Sequence, residues 1–343
     1  MIIKSIKLNN FRCHETFSFE FKKKTSVIIG KNGSGKTSIL EAIYEALRGK
    51  SFRATDLDIL KRDSDFYRVE VLFFNGEKVV VAFGELEPGV VNKKQFLVGG
   101  KKYLRLPKKY RYPIVLFLPD DLHLISSSPT RKRDFFDRIL SELDDSYSSI
   151  LAKYEKALKQ RNDLLKQCVE YNIEVVSQMI FSWNLLLSKY GVEIRGKREK
   201  LIKEINSRLT KTYHSIAKND DKILINYEIF GEKIGESEYL KRLENELNRD
   251  LILGHTGFGV HRDNYNFLFN NSDADGSASR GEVRSIILAL KFIEAEMIYE
   301  KTNKKPIILL DDVFSELDET RQKSLTRNFK ENQVIITSVE INE

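Results

Sequence analysis

The chain has 343 residues, 41% of them hydrophobic and 31% charged, and carries a formal net charge of +7. That length suffices for a large core or for two lobes sharing one, and the positive balance suits an anionic partner while saying nothing about the fold. Cys13 and Cys168 stand far apart with no C-x-x-C, which argues against a disulfide framework or a zinc site. No apolar run approaches the ~18 residues of a membrane span, and Met1-Ile2-Ile3-Lys4 does not open a secretory signal, so the expected setting is cytoplasmic, with no membrane partner.

Up to about residue 120 the pattern is mostly strand with one helix. Phe17, Phe19 and Phe21 alternate with Ser18 and Glu20, a strand with one aromatic face, and Lys22-Lys23-Lys24 reads as a solvated hairpin turn. Next, the apolar run Val27-Ile28-Ile29 leads into Gly30-Lys31-Asn32-Gly33-Ser34-Gly35-Lys36-Thr37, which fits the P-loop pattern G-x-x-x-x-G-K-[ST]. Ser38 follows, and then a helical stripe of Ile39, Leu40, Ile43 and Leu47. Strand, glycine loop and helix form the context this motif requires. The glycines let the backbone wrap a phosphate so that successive N–H groups point at it, and the helix N-terminus adds partial positive charge. The expected ligand is ATP or GTP, with residues 30–38 around it. Lys36 would reach the β- and γ-phosphates and the Thr37 hydroxyl would coordinate Mg²⁺. Further on, Val69, Val71 and Phe73 alternate up to the turn signal Asn75-Gly76, with a return strand over Val79 to Phe83. Ile114 to Leu118, closed by Pro119, reads as a buried strand.

After Pro129 the texture turns helical, from about Arg131 to Leu253. Leu151, Tyr154, Leu158, Leu165 and Cys168 fall at heptad-like spacing, interrupted by Arg161. Val176, Met179, Ile180, Trp183, Leu186, Leu187 and Tyr190 continue the stripe, which is too short for a long coiled coil and implies a compact helical lobe with those side chains in its core. Two basic groups stand out: Arg131, Lys132, Arg133 and Arg138 at the start of this lobe, and, before it, the tyrosine-interleaved Lys101, Lys102, Arg105, Lys108, Lys109 and Arg111. Each could bind nucleic-acid phosphates through counterion release or form a solvated face. His261 and Arg262 could line a ligand surface or serve as a structural pair. From about Gly254 the chain reads as loop-rich. It then returns to one helix and to Pro306-Ile307-Ile308-Leu309-Leu310-Asp311-Asp312, a buried strand delivering carboxylates in the Walker B manner. Asp311 would hold the metal through water, and Asp312 stands where a general base would polarise the attacking water.

Between these motifs, Ser279-Arg280-Gly281-Glu282 precedes the apolar stripe Ile286, Ile287, Leu290, Ile293 and Met297, which resembles the signature motif of ABC-type ATPases. Ser315-Glu316-Leu317-Asp318 resembles their D-loop. Within that superfamily the chain closely resembles the RecF family of bacterial recombination mediators. The matching stretches are Leu8-Asn9-Asn10-Phe11-Arg12, Gly49-Lys50-Ser51-Phe52-Arg53, Leu116-Phe117-Leu118-Pro119-Asp120-Asp121-Leu122 and Pro129-Thr130-Arg131-Lys132-Arg133-Asp134-Phe135-Phe136-Asp137. They continue through Gly259-Val260-His261-Arg262-Asp263 and Asp311-Asp312-Val313-Phe314-Ser315-Glu316-Leu317-Asp318.

The resemblance implies an α/β fold, an ABC-type P-loop ATPase head of the SMC kind with an inserted, mainly helical second lobe. Lobe I would comprise residues 1–125 and 300–343, and lobe II residues 126–299. It further implies ATP sandwiched in a homodimer, with Ser279 and Gly281 meeting the nucleotide and Lys36 and Asp312 acting in slow, DNA-stimulated hydrolysis. The implied partners are DNA, single- and double-stranded and at gaps, and RecR- and RecO-like proteins that help load RecA. Arg131, Lys132 and Arg133 are the candidate DNA contacts. Departures from the family pattern are Arg280, Glu282 and Val283 where glutamines are usual, Val260 for proline and Asn264 for aspartate. No Q-loop glutamine is present, Asp120 being its nearest substitute, and Thr337 or Ser338 occupies the region of a switch histidine. The alternatives weighed are an SMC-like DNA-organising head without recombinase loading, a transporter ATPase, and a nuclease of the overcoming-lysogenisation type. Against them, respectively, the helical region is too short for long coiled-coil arms, the charge is basic and the switch histidine missing, and no room is expected for a nuclease domain.

Overall fold

Residues 2–85, 92–167 and 172–339 are described in the computed structural model. In chain order they form β1 (Ile3–Phe11), β2 (His14–Glu20), β3 (Thr25–Ile29), α1 (Lys36–Arg48), α2 (Asp56–Ile59), β4 (Phe66–Phe73), β5 (Lys78–Gly84), β6 (Lys93–Val98), β7 (Lys101–Tyr103) and β8 (Ile114–Phe117). Then come α3 (Pro129–Leu143), α4 (Tyr147–Gln167), α5 (Ile173–Ala217), β9 (Ile223–Glu228), α6 (Glu236–Asn245), α7 (Leu247–Leu253), β10 (Asn264–Phe269), β11 (Ser272–Asp273) and α8 (Ala274–Ser277). The last are α9 (Arg280–Thr302), β12 (Ile307–Asp311), α10 (Glu319–Asn328) and β13 (Val334–Ser338). The chain divides into two units, Met1–Asp121 with Glu294–Glu343 and Leu122–Ile293, the second boundary falling inside α9.

In the first unit β4, whose residues alternate in burial, sits within an antiparallel sheet in the order β2-β1-β4-β5-β6-β7. The continuous apolar runs form a parallel sheet, β3-β13-β12-β8, as strands buried on both faces require. Helix α1 touches β1, β4 and β5 of one sheet and β12 and β13 of the other. It is therefore buried beyond its apolar stripe, and Lys36, Ser38, Glu41 and Glu45 are inside as well. Of these, Lys36, Glu41 and Glu45 have polar partners. Glu45 accepts from the Tyr67 hydroxyl at 2.5 Å and faces Lys94 Nζ at 2.6 Å; burial pushes its carboxyl up to about 7 against those two contacts. Lys22-Lys23-Lys24 is exposed as expected, but it links β2 of one sheet to β3 of the other and so is not a hairpin turn.

The second unit corrects several expectations. The stretch read as helical through Leu253 contains β9, whose Ile223 and Ile225 are buried while Leu224 and Asn226 are exposed. The strand is short, and its pairing partner β10 lies in the region that reads as loop. Helices α4 and α5 run antiparallel: Arg161 Nε donates to Asn184, Lys153 lies over the Tyr190 ring, and Arg198 Nε reaches the Tyr147 hydroxyl. At 45 residues α5 spans roughly 67 Å at 1.5 Å per residue. Met179, expected in the core, is exposed, whereas Arg161, read as an interruption, is fully buried. Arg161 tolerates burial because Asp250, Asn184, Thr256 and the Leu243 carbonyl all accept from it. Two further buried pairs, Arg195–Asp263 and Arg198–Asp137, repeat the device. Cys13 is exposed, and Cys168 lies outside the described residues.

His261 belongs to this network and is structural. Its Nδ1 accepts from the Tyr154 hydroxyl at 2.8 Å, so Nε2 carries the proton and donates to the Thr256 carbonyl at 3.1 Å. Burial lowers its pKa to about 4, although the Thr256 carbonyl favours the proton. As pH falls below about 6.5 the unfolded chain takes the proton first, so this stability is complete above that pH and lost down to about 4. His261→Gln should flatten the pH dependence of urea stability across that window by up to about 3 kcal/mol relative to wild type. Parallel curves for the two proteins would contradict the assignment.

Candidate nucleotide site

The phosphate-binding loop joins β3 to α1 in the first unit. Gly35 caps α1 with φ 89°, and a Cβ there would come within 2.4 Å of Cys13 Sγ and His14 Nε2, so both conformation and space demand glycine. Lys36 Nζ donates to the Gly30 carbonyl at 2.8 Å and the Lys31 carbonyl at 3.3 Å, and lies 3.8 Å from Asp312. Asn32, Gly33, Gly35, Lys36, Thr37 and Ser38 border a cavity of about 490 Å³, within the range of small-ligand sites. Ser34 stands between Gly33 and Gly35, its N–H bonded to the Lys31 carbonyl.

Walker B comes to the same place. The Thr37 hydroxyl lies 2.9 Å from both oxygens of Asp311, which also accepts from Thr337 at 2.8 Å. Thr337 in turn accepts the Asp312 N–H at 3.0 Å, so the residue in the region of a switch histidine holds the Asp311 carboxylate and the backbone of Asp312. Burial raises the Asp311 pKa against the bonds from Thr337 and Thr37. A buried carboxylate beside a hydroxyl is a donor set that fits Mg²⁺, which takes one or two carboxylates together with substrate phosphates. Asp312 adopts φ 50° and lines the cavity. For a residue other than glycine that conformation costs on the order of 1 kcal/mol and persists where the surroundings impose it.

Two arginines border the cavity, Arg12 from the β1–β2 turn and Arg53 after α1. Both bond to Glu41. Motif spacing could not find these three residues as a group. The only signal in the sequence is that Arg12 and Arg53 fall within the stretches shared with the family.

Comparison with known proteins settles the family. The profile of the AAA ATPase domain matches residues 1–342. The DNA replication and repair protein RecF of Lachnoclostridium phytofermentans is 32% identical over 100% of this chain and 94% of its own length. That of Ruminiclostridium cellulolyticum is 33% identical over 98% and 92%. The chain belongs to the RecF family. Among solved structures, the recombination mediator protein RecF with ATP in the RecFOR pathway superposes with a TM-score of 0.84 at 29% identity, covering 100% of this chain and 93% of the other. An SMC head bound to the C-winged helix domain of ScpA superposes at 0.52 and 15% identity over 99% and 90%, which shows a shared fold. As a member of the RecF family, the chain is a P-loop ATPase of DNA replication and repair with an α/β, SMC-type head.

The remaining RecF motifs have local structural partners. Ser279 and Gly281 belong to the second unit, at the start of α9. The Ser279 hydroxyl accepts the Glu282 N–H at 3.3 Å, and Glu282 accepts the Ser279 N–H at 2.6 Å, a capping box. This gives Glu282, a departure from the usual glutamine, a clear local role. Asp318 likewise caps α10 by accepting from the Arg321 N–H. Asp120 is exposed. Arg131, Lys132 and Arg133 are all half-buried in the first turns of α3. Arg133 donates to the Asp263 carbonyl and to Thr130, and Lys132 lies over the Phe267 ring, burial lowering its pKa. By contrast Lys101, Lys102, Arg105, Lys108 and Lys109 are exposed, with Lys109 over Tyr110.

Lys36→Met should abolish tight ATP binding by equilibrium titration, since it removes the cation at the mouth of the phosphate loop. Asp312→Asn should keep ATP binding and slow phosphate release by about 10²-fold or more. Equal loss of ATP binding in Asp311→Asn and Asp312→Asn would contradict the division of roles between the two carboxylates.

Proposed function

We propose that this chain is an ATP-dependent DNA clamp of single-strand gap repair. It binds ATP with Mg²⁺ held by Thr37 and Asp311, dimerises on ATP, engages DNA at gaps, and works with RecR- and RecO-like proteins to help RecA load. Hydrolysis, slow and DNA-stimulated, times release. Lys36 neutralises the β/γ-phosphates and Asp312 polarises the attacking water. Residues Gly30 to Ser38 wrap the phosphates, and Ser279 and Gly281 of a second copy complete the site. The observation that carries this reading is the meeting of Thr37, Lys36 and Asp312 at one cavity, with Asp311 bonded to the Thr37 hydroxyl, in a chain of the RecF family. The setting we assign is cytoplasmic. Among the described residues no helix is long and apolar enough to cross a membrane.

We assign DNA contact to both basic groups, with the larger share on the exposed one. Binding to gapped duplex should tighten with ATP over ADP and weaken steeply with salt. Replacing Lys101, Lys102, Lys108 and Lys109 by Gln should flatten the log–log salt slope by up to ~4 units, at about 0.9 per phosphate contact. Neutralising Arg131, Lys132 and Arg133 should flatten it by less than ~3, because Arg133 and Lys132 already have partners inside their own unit. Affinity for gapped DNA that is indifferent to nucleotide and unaffected by either set would overturn the proposal.

A further inference from the structure

The motifs account for the phosphate side of the cavity but not for its other wall, where Arg12 and Arg53 converge on a carboxylate that no motif includes. Glu41 lies on α1, the helix that begins with Lys36 and Thr37, and its side chain is fully buried. Arg12 donates to it through Nε at 3.0 Å and Nη2 at 2.9 Å. Arg53 donates through Nε at 3.0 Å and Nη2 at 2.8 Å, and Ser51 adds its hydroxyl at 2.7 Å. One carboxylate therefore accepts five hydrogen bonds and fixes the planes of two guanidinium groups. Both arginines line the nucleotide cavity and keep part of their surface open, 24% for Arg12 and 38% for Arg53.

Three observations argue against simple structural glue. The trio carries two positive charges against one negative, and it adjoins a cavity whose other wall is a phosphate loop. Arg12 occupies the left-handed region at φ 56°, in the turn where β1 reverses into β2. Glycine or asparagine would relieve that strain, and strain of this kind gathers where a side chain must be aimed. Finally, Arg12 is held at a second point, its Nη1 donating to the Asp58 carbonyl at 2.8 Å, which removes the freedom a solvated arginine keeps. Although burial alone would raise it, the Glu41 carboxyl is held below its ordinary value by the bonds from Arg12, Arg53 and Ser51, so it stays charged.

We propose that Glu41 is a positioning residue for the nucleotide: it aims Arg12 and Arg53 at the bound anion and couples their placement to the phosphate-binding end of α1. The proposal rests on the reading of the cavity as the ATP site. Glu41 touches no nucleotide; it acts through the two arginines, and losing it leaves their forks unaligned. A misplacement of about 1 Å in such a group can lower turnover by about 10²-fold.

The test compares the full chain with Glu41→Gln, Arg12→Ala/Arg53→Ala, the triple combination and Lys36→Met. ATP and ADP affinities, phosphate release and the melting temperature without nucleotide are measured for each. Glu41→Gln should weaken ATP binding about tenfold and lower turnover by on the order of 10²-fold. In the background lacking both arginines the same substitution should cost no further affinity. Independent, additive losses that follow the melting temperature would overturn the proposal and make Glu41 a stabiliser of α1 alone. Should Glu41→Gln fail to fold, Arg12→Lys/Arg53→Lys provides the test, since it keeps both charges and removes the two-point fork. It should lose affinity as Glu41→Gln would, and native affinity there would overturn the proposal. Lys36→Met separates the two levels. If it binds ATP like wild type, the site assignment itself fails. If it loses ATP while Glu41→Gln binds and turns over normally, only the positioning role fails.

Discussion

The buried Asp311 carboxylate is the point on which the nucleotide-binding unit depends. Thr37 reaches it across 274 residues of sequence, and Thr337 reaches it from the neighbouring strand. Those bonds exist only because β12 lies between β13 and β8, and because β13 pairs with β3, the strand that launches the phosphate loop. Gln333, just before β13, adds a clasp by bonding both the N–H and the carbonyl of Ile3. The loop near residue 30 is thus shaped by strands from the far end of the chain. A carboxylate buried this way is costly until its lone pairs are met, and two hydroxyls together with the bound cation would meet them.

The second unit solves a different problem with similar means. Its long helices carry Arg161, Arg195 and Arg198 inward, and each is neutralised by an aspartate from a distant segment: Asp250, Asp263 and Asp137. Asp263 also accepts from Tyr227 and from the Phe230 N–H. Pairs of this kind add little net stability over apolar packing but are severe to break singly, so they select one arrangement of helices over others. Asp137, His261 and Asp263 are among the residues the chain shares in pattern with the RecF family. In this fold they hold helices in register.

The phosphate loop and the Walker B strand were legible in the sequence because each is a short motif whose flanking strand or helix can be checked locally. The same holds for β4, β5 and the turn at Asn75-Gly76. Glu41, Arg12 and Arg53 were not legible as a group, since a three-way contact between a helix, a hairpin turn and a loop leaves no periodic trace. The Thr337 link to Asp311 was hidden for the same reason. Helical periodicity misled at Met179, which faces water, and at Arg161, which does not, because burial of a charge is decided by a partner elsewhere in the chain. Strand β9 was lost inside a helical stretch because its alternation runs for only six residues. A cluster of basic letters gave no warning that Arg133 and Lys132 have partners of their own.

In the proposed dimer one copy supplies the phosphate loop and the other supplies Ser279. The capping box around Ser279 offers the competing view, in which the serine serves its own helix and nothing more. Mixing a Lys36→Met chain with a Ser279→Arg chain decides between them. In the mixed pair one site joins two damaged halves while the other joins two intact halves. Partial recovery of the ATP-dependent dimer is expected in the mixture, as read by sedimentation or light scattering, and no such dimer from either variant alone. No recovery, with both variants folded, would contradict this arrangement.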